Sequence, residues 1–189
     1  MGGVRAGVCK AMAGLAVLTV ALAGGVPAAV AAGTATPYCG IRWGSLPKEA
    51  EPLTPGPVAG ARAGRHECYD RLVIDLKSQA PGYSVSYVPR VTQDGSGDVV
   101  PVRGGAKLQI SVHAPAYDSN TGRETFPSGN PELVRVVGFQ TFRQVAGAGS
   151  FEGYTTIGLG VRERLPFRVF TLAGPGDGSR LVIDVAHHW

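Results

Sequence analysis

Ala106-Lys107-Leu108-Gln109-Ile110-Ser111-Val112 is the stretch that decides the fold most clearly. Apolar and polar side chains alternate in it, so an extended chain would place the apolar ones on one face and the polar ones on the other. This period of two is typical of a β-strand that is buried on one side only. The stretches Tyr83–Tyr87 and Tyr154–Val161 alternate in the same way. The sequence therefore predicts a chain built from strands.

Other runs are predicted strands because they are rich in β-branched and aromatic residues. They are Leu72–Leu76, Leu133–Phe139, Phe167–Leu172 and Leu181–Val185. Segments rich in Gly, Pro, Asn and Asp separate the runs, and no helical period lies between them. About seven or more short strands with this punctuation predict an all-β sandwich or barrel. Residues 67–189 are enough for one such core, so one domain is expected.

One internal similarity stands out among the predicted strands. Arg71-Leu72-Val73-Ile74-Asp75-Leu76 recurs as Arg180-Leu181-Val182-Ile183-Asp184-Val185. It indicates either a duplicated strand in a quasi-symmetric sandwich or two independent runs of good strand formers. In both cases Asp75 and Asp184 are expected to point away from the core or to pair with a nearby arginine, because an unpaired buried carboxylate is costly.

The N-terminal segment, residues 1–32, has the pattern of a secretory signal peptide. Arg5 and Lys10 precede an uncharged run, residues 12–26, and Ala29-Val30-Ala31 offers a small-x-small cleavage pattern. A membrane anchor would need about twenty strongly apolar residues, and this run is shorter and contains glycine. The sequence predicts a secreted, extracellular product with no transmembrane segment after cleavage.

Residues 33–66 are predicted to form a proline-rich N-terminal arm, since prolines exclude a helix or an interior strand. Signal cleavage would leave Cys39 and Cys68 in an oxidising compartment, which favours a disulfide between them. Two buried free thiols are the alternative. A disulfide would pin the arm, including Trp43, to the domain.

Charge argues against a nucleic-acid partner. The formal net charge of the chain is +4, with 18 basic and 14 acidic residues, and loss of Arg5 and Lys10 leaves 16 against 14, or +2. No basic run with interleaved aromatic residues is present. Arg outnumbers Lys 14 to 4, which favours fork-like recognition of carboxylates or phosphates at individual sites.

Motifs of catalysis and metal binding are missing from the sequence. No serine lies in a Gly-x-Ser-x-Gly elbow, and the histidines lack zinc-ligand spacing. His187 and His188 are interpreted as a solvated strand end, and residues 94–98 as a hairpin turn rather than a calcium loop. The sequence predicts a non-catalytic protein without metal or cofactor. A hydrolase could still be assembled from distant carboxylates, namely Asp70, Asp118, Glu152 and Glu163.

Two segments carry residues that a purely structural strand would not need. The first follows a predicted strand and ends in Tyr117 and Asp118; the second, residues 158–168, contains Arg162, Arg164 and Arg168 near two glycines. Glycine in a strand lets another backbone or a sugar approach closely. An aromatic ring with arginines can hold a glycan face and a carboxylate, so these five residues are the predicted ligand site. A solvated turn whose charges serve solubility is the alternative.

Several separated motifs, taken in order, resemble the AMIN-like domain of secreted actinobacterial proteins. They are Trp43–Lys48, His66–Leu76, Ala114–Asp118, Phe151–Arg162 and Arg180–His187. The resemblance implies a β-sandwich related to a domain that directs envelope proteins to the cell wall. It implies a binding partner in the envelope, peptidoglycan or a cell-envelope protein, and no catalysis.

Three functional hypotheses follow in order of preference. The first is a secreted, cell-wall-associated, non-catalytic module that binds peptidoglycan or localises a partner at the cell wall. The second is a secreted protein-interaction module without affinity for glycan. The third is the carboxylate-dependent cell-wall hydrolase.

Overall fold

The structure, a computed structural model, describes residues 37–53 and 56–189; the predicted signal peptide lies outside them. In this part of the chain a 3-10 turn, Tyr38–Gly40, precedes eleven strands. They are β1 (Lys48–Ala50), β2 (Val58–Arg65), β3 (Tyr69–Leu76), β4 (Tyr83–Val88), β5 (Val91–Thr92), β6 (Val99–Val100), β7 (Ala106–Val112), β8 (Phe142–Phe151), β9 (Tyr154–Val161), β10 (Phe167–Ala173) and β11 (Ser179–Ala186). The prediction of an all-β fold is confirmed.

The strands form two main antiparallel sheets and one small pair. The five-stranded sheet has the order β1-β4-β7-β9-β8, the four-stranded sheet has the order β10-β11-β3-β2, and β5 pairs with β6. Buried side chains of both main sheets belong to one apolar cluster, which includes Leu72, Ile74, Ile110, Leu159 and Ile183. The two sheets therefore pack face to face as a sandwich.

The alternation in β7 orients this strand as expected. Leu108, Ile110 and Val112 are fully buried in the core, whereas Lys107 and Gln109 on the other face are half-buried. A shift by one residue would turn the apolar set towards solvent, so burial fixes the register.

The repeated motif forms two neighbouring strands of one sheet. β3 and β11 pair antiparallel, with Val73 opposite Val182 at the centre and Arg71 opposite Asp184 at one end. The two copies are thus related by a local two-fold axis within the four-stranded sheet. Both aspartates pair with arginines as predicted, Asp184 with Arg71 and Asp75 with Arg62.

The predicted strand Leu133–Phe139 is wrong. Only Val134 pairs with a strand, through a single bridge to Val145 of β8, and the backbone turns at positive φ at Gly138. Val136 packs into the core while Val137 is 78% exposed. The alternation in this run therefore reflects a loop that touches the core at intervals.

The proline-rich segment contains more regular structure than an arm. β1 pairs with β4, and β2 pairs with β3 at the edge of the four-stranded sheet, so the sheets begin before residue 67. β2 contains no proline; the prolines lie before it, which explains how a strand fits into a segment predicted as an arm.

Glycines of β9 let a second layer cover the outer side of the five-stranded sheet. A Cβ on Gly160 would lie 1.7 Å from the carbonyl oxygen of Arg103, and one on Gly158 would lie 2.8 Å from the side chain of Val102. Val91 and Val102 form a small apolar cluster there with alanines of β8. The close approach predicted at these glycines is therefore made by the chain itself, through the backbone of Arg103 at Gly160 and through valine side chains at Gly158.

Replacing Gly160 with alanine is expected to lower the free energy of unfolding by about 1–3 kcal/mol, because the added methyl group overlaps the backbone at Arg103. Urea unfolding measures the change. Gly129→Ala is the matched control, since a Cβ there meets nothing within 4 Å. Equal stabilities of the two variants would contradict this packing.

Tyr87 ties β4 to the segment before β10. Its hydroxyl donates to the carbonyl of Leu165 at 2.7 Å and accepts from the same residue's backbone N–H at 3.0 Å. Burial raises the pKa of Tyr87 to about 12. The neutral ring is therefore the form that the folded state favours.

The raised pKa of Tyr87 predicts a loss of stability in alkali. The neutral Tyr87 hydroxyl contributes fully to the free energy of unfolding below the pKa of an unfolded tyrosine, about 10. This contribution is lost as the pH rises through the pKa in the folded state, about 12. Unfolding free energies measured across this range should fall more steeply for the wild type than for Tyr87→Phe. Identical slopes would contradict the assignment.

Candidate functional site

A row of three charged side chains crosses the four-stranded sheet on the side away from the core. Arg71 of β3 lies opposite Asp184 of β11, and Asp184 lies opposite Arg168 of β10. The neighbouring residues Leu72 and Ile183 point into the core. Because side chains alternate along each strand, the register places all three charged groups on the outer face.

Asp184 is fully buried beneath the two arginines. Arg71 donates to it through Nε at 2.6 Å and Nη2 at 2.9 Å, and Arg168 donates through Nε at 2.8 Å. These hydrogen bonds raise the pKa of Arg71, chiefly through the bond to Asp184. The carboxylate thus fixes the positions of both guanidinium groups.

The row retains capacity for an anionic ligand. Two arginines against one aspartate leave one net positive charge, and within the described residues the Nη1 atoms of Arg71 and Arg168 have no hydrogen-bond partner. Both arginine side chains remain partly open to solvent, at 23% and 31% exposure. An incoming carboxylate could therefore accept hydrogen bonds from fixed donors.

Aromatic rings surround the two guanidinium groups. The guanidinium carbon of Arg168 lies 5.6 Å from the ring centre of Trp43, 5.4 Å from that of Tyr69 and 5.1 Å from that of Phe170. Arg71 lies 5.2 Å from Tyr69 and 5.5 Å from Phe170. These distances are within the range of cation–π attraction. We call this set, Trp43, Tyr69, Arg71, Arg168, Phe170 and Asp184, the aromatic-arginine face.

Trp43 reaches this face because the N-terminal arm is fixed at several points. The predicted disulfide between Cys39 and Cys68 is confirmed, and it closes a loop of sequence separation 29. The indole N–H of Trp43 donates to the carbonyl of Tyr38 at 2.9 Å, and Gly44 pairs with Phe167 at the start of β10. The disulfide and the pairing hold the tryptophan beside Arg168.

The edge strand β2 leaves space beside the face. Gly64 of β2 lies opposite Arg71, so β2 has no side chain at the position that pairs with this arginine. The side chain of Arg62, further along β2, turns towards Asp75. The exposed ring of His66 stacks on Tyr69 at 4.6 Å and forms one border of this space. A flat ligand ring could lie here against the aromatic side chains.

Of the five predicted ligand residues, only Arg168 belongs to the aromatic-arginine face. Arg162 pairs with Glu163 and donates to the carbonyl of His187. Arg164 lies over the ring of Tyr87 and donates to the carbonyl of Ser45. These two arginines tie together segments of the sandwich at the end of β9.

Tyr117 and Asp118 lie far from the arginines with which they were grouped. They follow the end of β7 that pairs with Thr155, whereas Arg162 follows the opposite end of β9. Six residues of strand separate those ends, or about 20 Å. Asp118 accepts from the backbone N–H groups of Asn120 and Thr121, which lowers its pKa. The carboxylate of Asp118 therefore stabilises a turn.

The interpretation of His187 as part of a solvated strand end is wrong, because the ring turns inward where β11 ends. It is 3% exposed; its Nε2 lies 3.3 Å from a carboxylate oxygen of Asp70, and its Nδ1 lies 3.1 Å from the carbonyl of Glu67. The other oxygen of Asp70 accepts from the backbone N–H groups of Thr141 and Phe142. With both ring nitrogens occupied, this pair serves the fold.

The other proposed carboxylates are dispersed. Glu163 pairs with Arg162 after β9, whereas Glu152 lies in the turn between β8 and β9. Across the described ranges no group of three or more His, Cys, Asp or Glu side chains is placed to hold a metal ion. In the same ranges no helix has the length and apolar character to cross a membrane.

The comparisons with known proteins give one match. A family model for the AMIN-like domain matches residues 56–187, a range that contains β2 to β11 and all residues of the aromatic-arginine face except Trp43. No curated protein matches the chain, and no solved structure does. The AMIN-like domain is a binding and targeting type of module associated with the cell envelope.

Proposed function

Because the chain belongs to the AMIN-like domain family, we propose that it is a secreted, non-catalytic module that binds peptidoglycan at the cell wall. The aromatic-arginine face is the binding surface. The observation that carries this proposal is the row Arg71, Asp184 and Arg168, in which a buried carboxylate orients two partly exposed arginines among aromatic rings.

The chemistry of the face matches the two kinds of group that peptidoglycan presents. Sugar rings offer apolar faces, which pack on aromatic side chains such as Trp43 and Tyr69. The peptide stems carry carboxylates, which planar guanidinium groups bind in a directed way. Because Asp184 already holds Arg71 and Arg168 in place, little side-chain entropy is lost on binding.

A sedimentation assay with purified cell wall tests the proposal. The purified protein is mixed with insoluble peptidoglycan at low salt, and the bound fraction is measured across a range of peptidoglycan concentrations. Trp43→Ala is expected to weaken binding about tenfold, because it removes one wall of the face.

Trp189 supplies the matched control for this assay. It is 71% exposed and contacts the carbonyl of Arg164, outside the aromatic-arginine face. Trp189→Ala should therefore bind as the wild type does. A wild-type protein that stays wholly in the supernatant would end the proposal, as would equal losses in the two tryptophan variants.

A further inference from the structure

A second surface lies on the other sheet, along the border of β8. Two adjoining cavities, of about 590 and 680 Å³, share Arg103 and Glu132 in their walls. The first is bounded by the loop at residues 135–139, and the second by residues 99–103. Because they meet at shared residues, the two cavities form one elongated groove, which we call the β8 groove.

The β8 groove concentrates the positive charge of the domain. Its walls carry five basic residues and one acidic residue, a balance of +4, and these are Arg90, Arg103, Lys107, Arg135, Arg143 and Glu132. The described residues as a whole carry 16 basic and 14 acidic side chains, a balance of +2. The rest of the domain is therefore negative by two charges, and a ligand of this groove should be anionic.

The charges in the groove are only partly neutralised. Arg103 and Glu132 form an ion pair at 2.5 Å where the two cavities meet, with both side chains largely exposed. Arg135 is exposed and has no side-chain partner among the described residues. The contact with Glu132 shows how an acidic side chain would be held in the groove.

Apolar side chains lie between these charges. Val136 and Phe139 line the first cavity, as does Val137, which is 78% exposed; Val99 and Val100 line the second. A phosphate polymer has no apolar groups, so it would leave these apolar side chains exposed to solvent. Arginine combined with apolar and aromatic surface is instead the composition found at the centres of protein interfaces.

We propose that the β8 groove binds an extended acidic segment of a partner protein, with glutamate or aspartate side chains on its arginines and apolar side chains on Val137 and Phe139. Two adjoining cavities with charged and apolar walls suit an extended chain, in which acidic and apolar residues can alternate. This binding is independent of the aromatic-arginine face.

Fluorescence anisotropy with a designed peptide tests the proposal. The probe is a labelled peptide of about eight residues in which glutamate alternates with valine and phenylalanine, long enough to span about 27 Å when extended. Saturable binding to the purified protein is expected. Arg135→Gln should weaken it roughly five- to tenfold, because that arginine is free to meet the peptide.

Three comparisons decide the result. Arg123→Gln removes the same charge from an exposed residue outside the groove and should leave the affinity for the peptide unchanged. A counterpart peptide with glutamine in place of glutamate should bind at least about tenfold more weakly. Added salt should weaken the binding of the acidic peptide, because it screens the charges.

The proposal is overturned if the acidic peptide does not bind, or if Arg123→Gln and Arg135→Gln reduce the affinity for the peptide equally. It is also overturned if inorganic polyphosphate binds in an Arg135-dependent way while the peptide does not. Since no cell wall is present in this assay, its failure leaves the peptidoglycan proposal standing, and the reverse holds for the sedimentation assay.

Discussion

Asp184→Asn should lower the free energy of unfolding by about 3–4 kcal/mol and weaken peptidoglycan binding at the same time. The carboxylate is fully buried, and two arginines donate to it. Asparagine keeps the shape but not the charge, so Arg71 and Arg168 would lose the anion that compensates them. Breaking a buried charge pair from one side is among the costly single substitutions. Urea unfolding and the sedimentation assay measure the two effects.

The second copy of the repeated motif provides the control for this prediction. Asp75 occupies the position equivalent to Asp184, but it pairs with Arg62 near the edge of the sheet, and the side chain of Arg62 is 53% exposed. Asp75→Asn should therefore cost less than about 1 kcal/mol. If the two variants lost similar amounts of unfolding free energy, burial would not determine how much each ion pair contributes to stability.

Removal of the disulfide should be the other large effect. The double variant Cys39→Ser, Cys68→Ser should lose about 3.5 kcal/mol, because a closed loop of sequence separation 29 restricts the unfolded chain. Since the same bridge holds the arm that carries Trp43, the variant should also lose affinity for peptidoglycan under conditions where it remains folded.

Reductant separates this effect from a general defect of the double variant. A reducing agent should lower the stability of the wild type to that of the variant and leave the variant unchanged. If the free energy of unfolding of the variant lay within about 0.5 kcal/mol of that of the oxidised wild type, the range of neutral surface changes, the disulfide would not stabilise the domain as expected.

Strands with local alternation were predictable from the sequence. β7 begins and ends where predicted, and β4, β9, β10 and β11 agree to within two residues, because each carries its pattern in consecutive side chains. The disulfide followed from cysteine usage in the expected compartment. In these cases the prediction needs only consecutive residues or the number of cysteines, and no knowledge of which strands are neighbours.

The edge and glycine-rich strands were not predictable in the same way. β2 consists of small residues and arginines, and β8 contains Gly147 and Gly149 and shifts register against β9. Their pairing depends on neighbours distant in sequence, which outweigh weak local propensity. The run Leu133–Phe139 is the opposite case: its sequence alternates as a strand would, and some of its apolar side chains contact the core, but it forms no strand.

The candidate site depends on sheet order, which the sequence does not reveal. Arg71 and Asp184 are 113 residues apart and meet only because β3 and β11 are neighbours. The repeated Arg-Leu-Val-Ile-Asp motif was the available signal, since an antiparallel pair of its copies places each arginine opposite an aspartate. The predicted site combined two segments by their residue types; it included Arg168 but not Trp43, Tyr69, Arg71 or Phe170.

The most direct measurement of the central claim is a heteronuclear NMR titration of the purified, isotope-labelled protein with soluble muramyl-peptide fragments of peptidoglycan. The indole N–H resonance of Trp43 and the Nε–H resonances of Arg71 and Arg168 should shift progressively to saturation, while the indole resonance of Trp189 stays in place. Shifts confined to other surfaces, or none at saturating fragment, would contradict a binding role for the aromatic-arginine face.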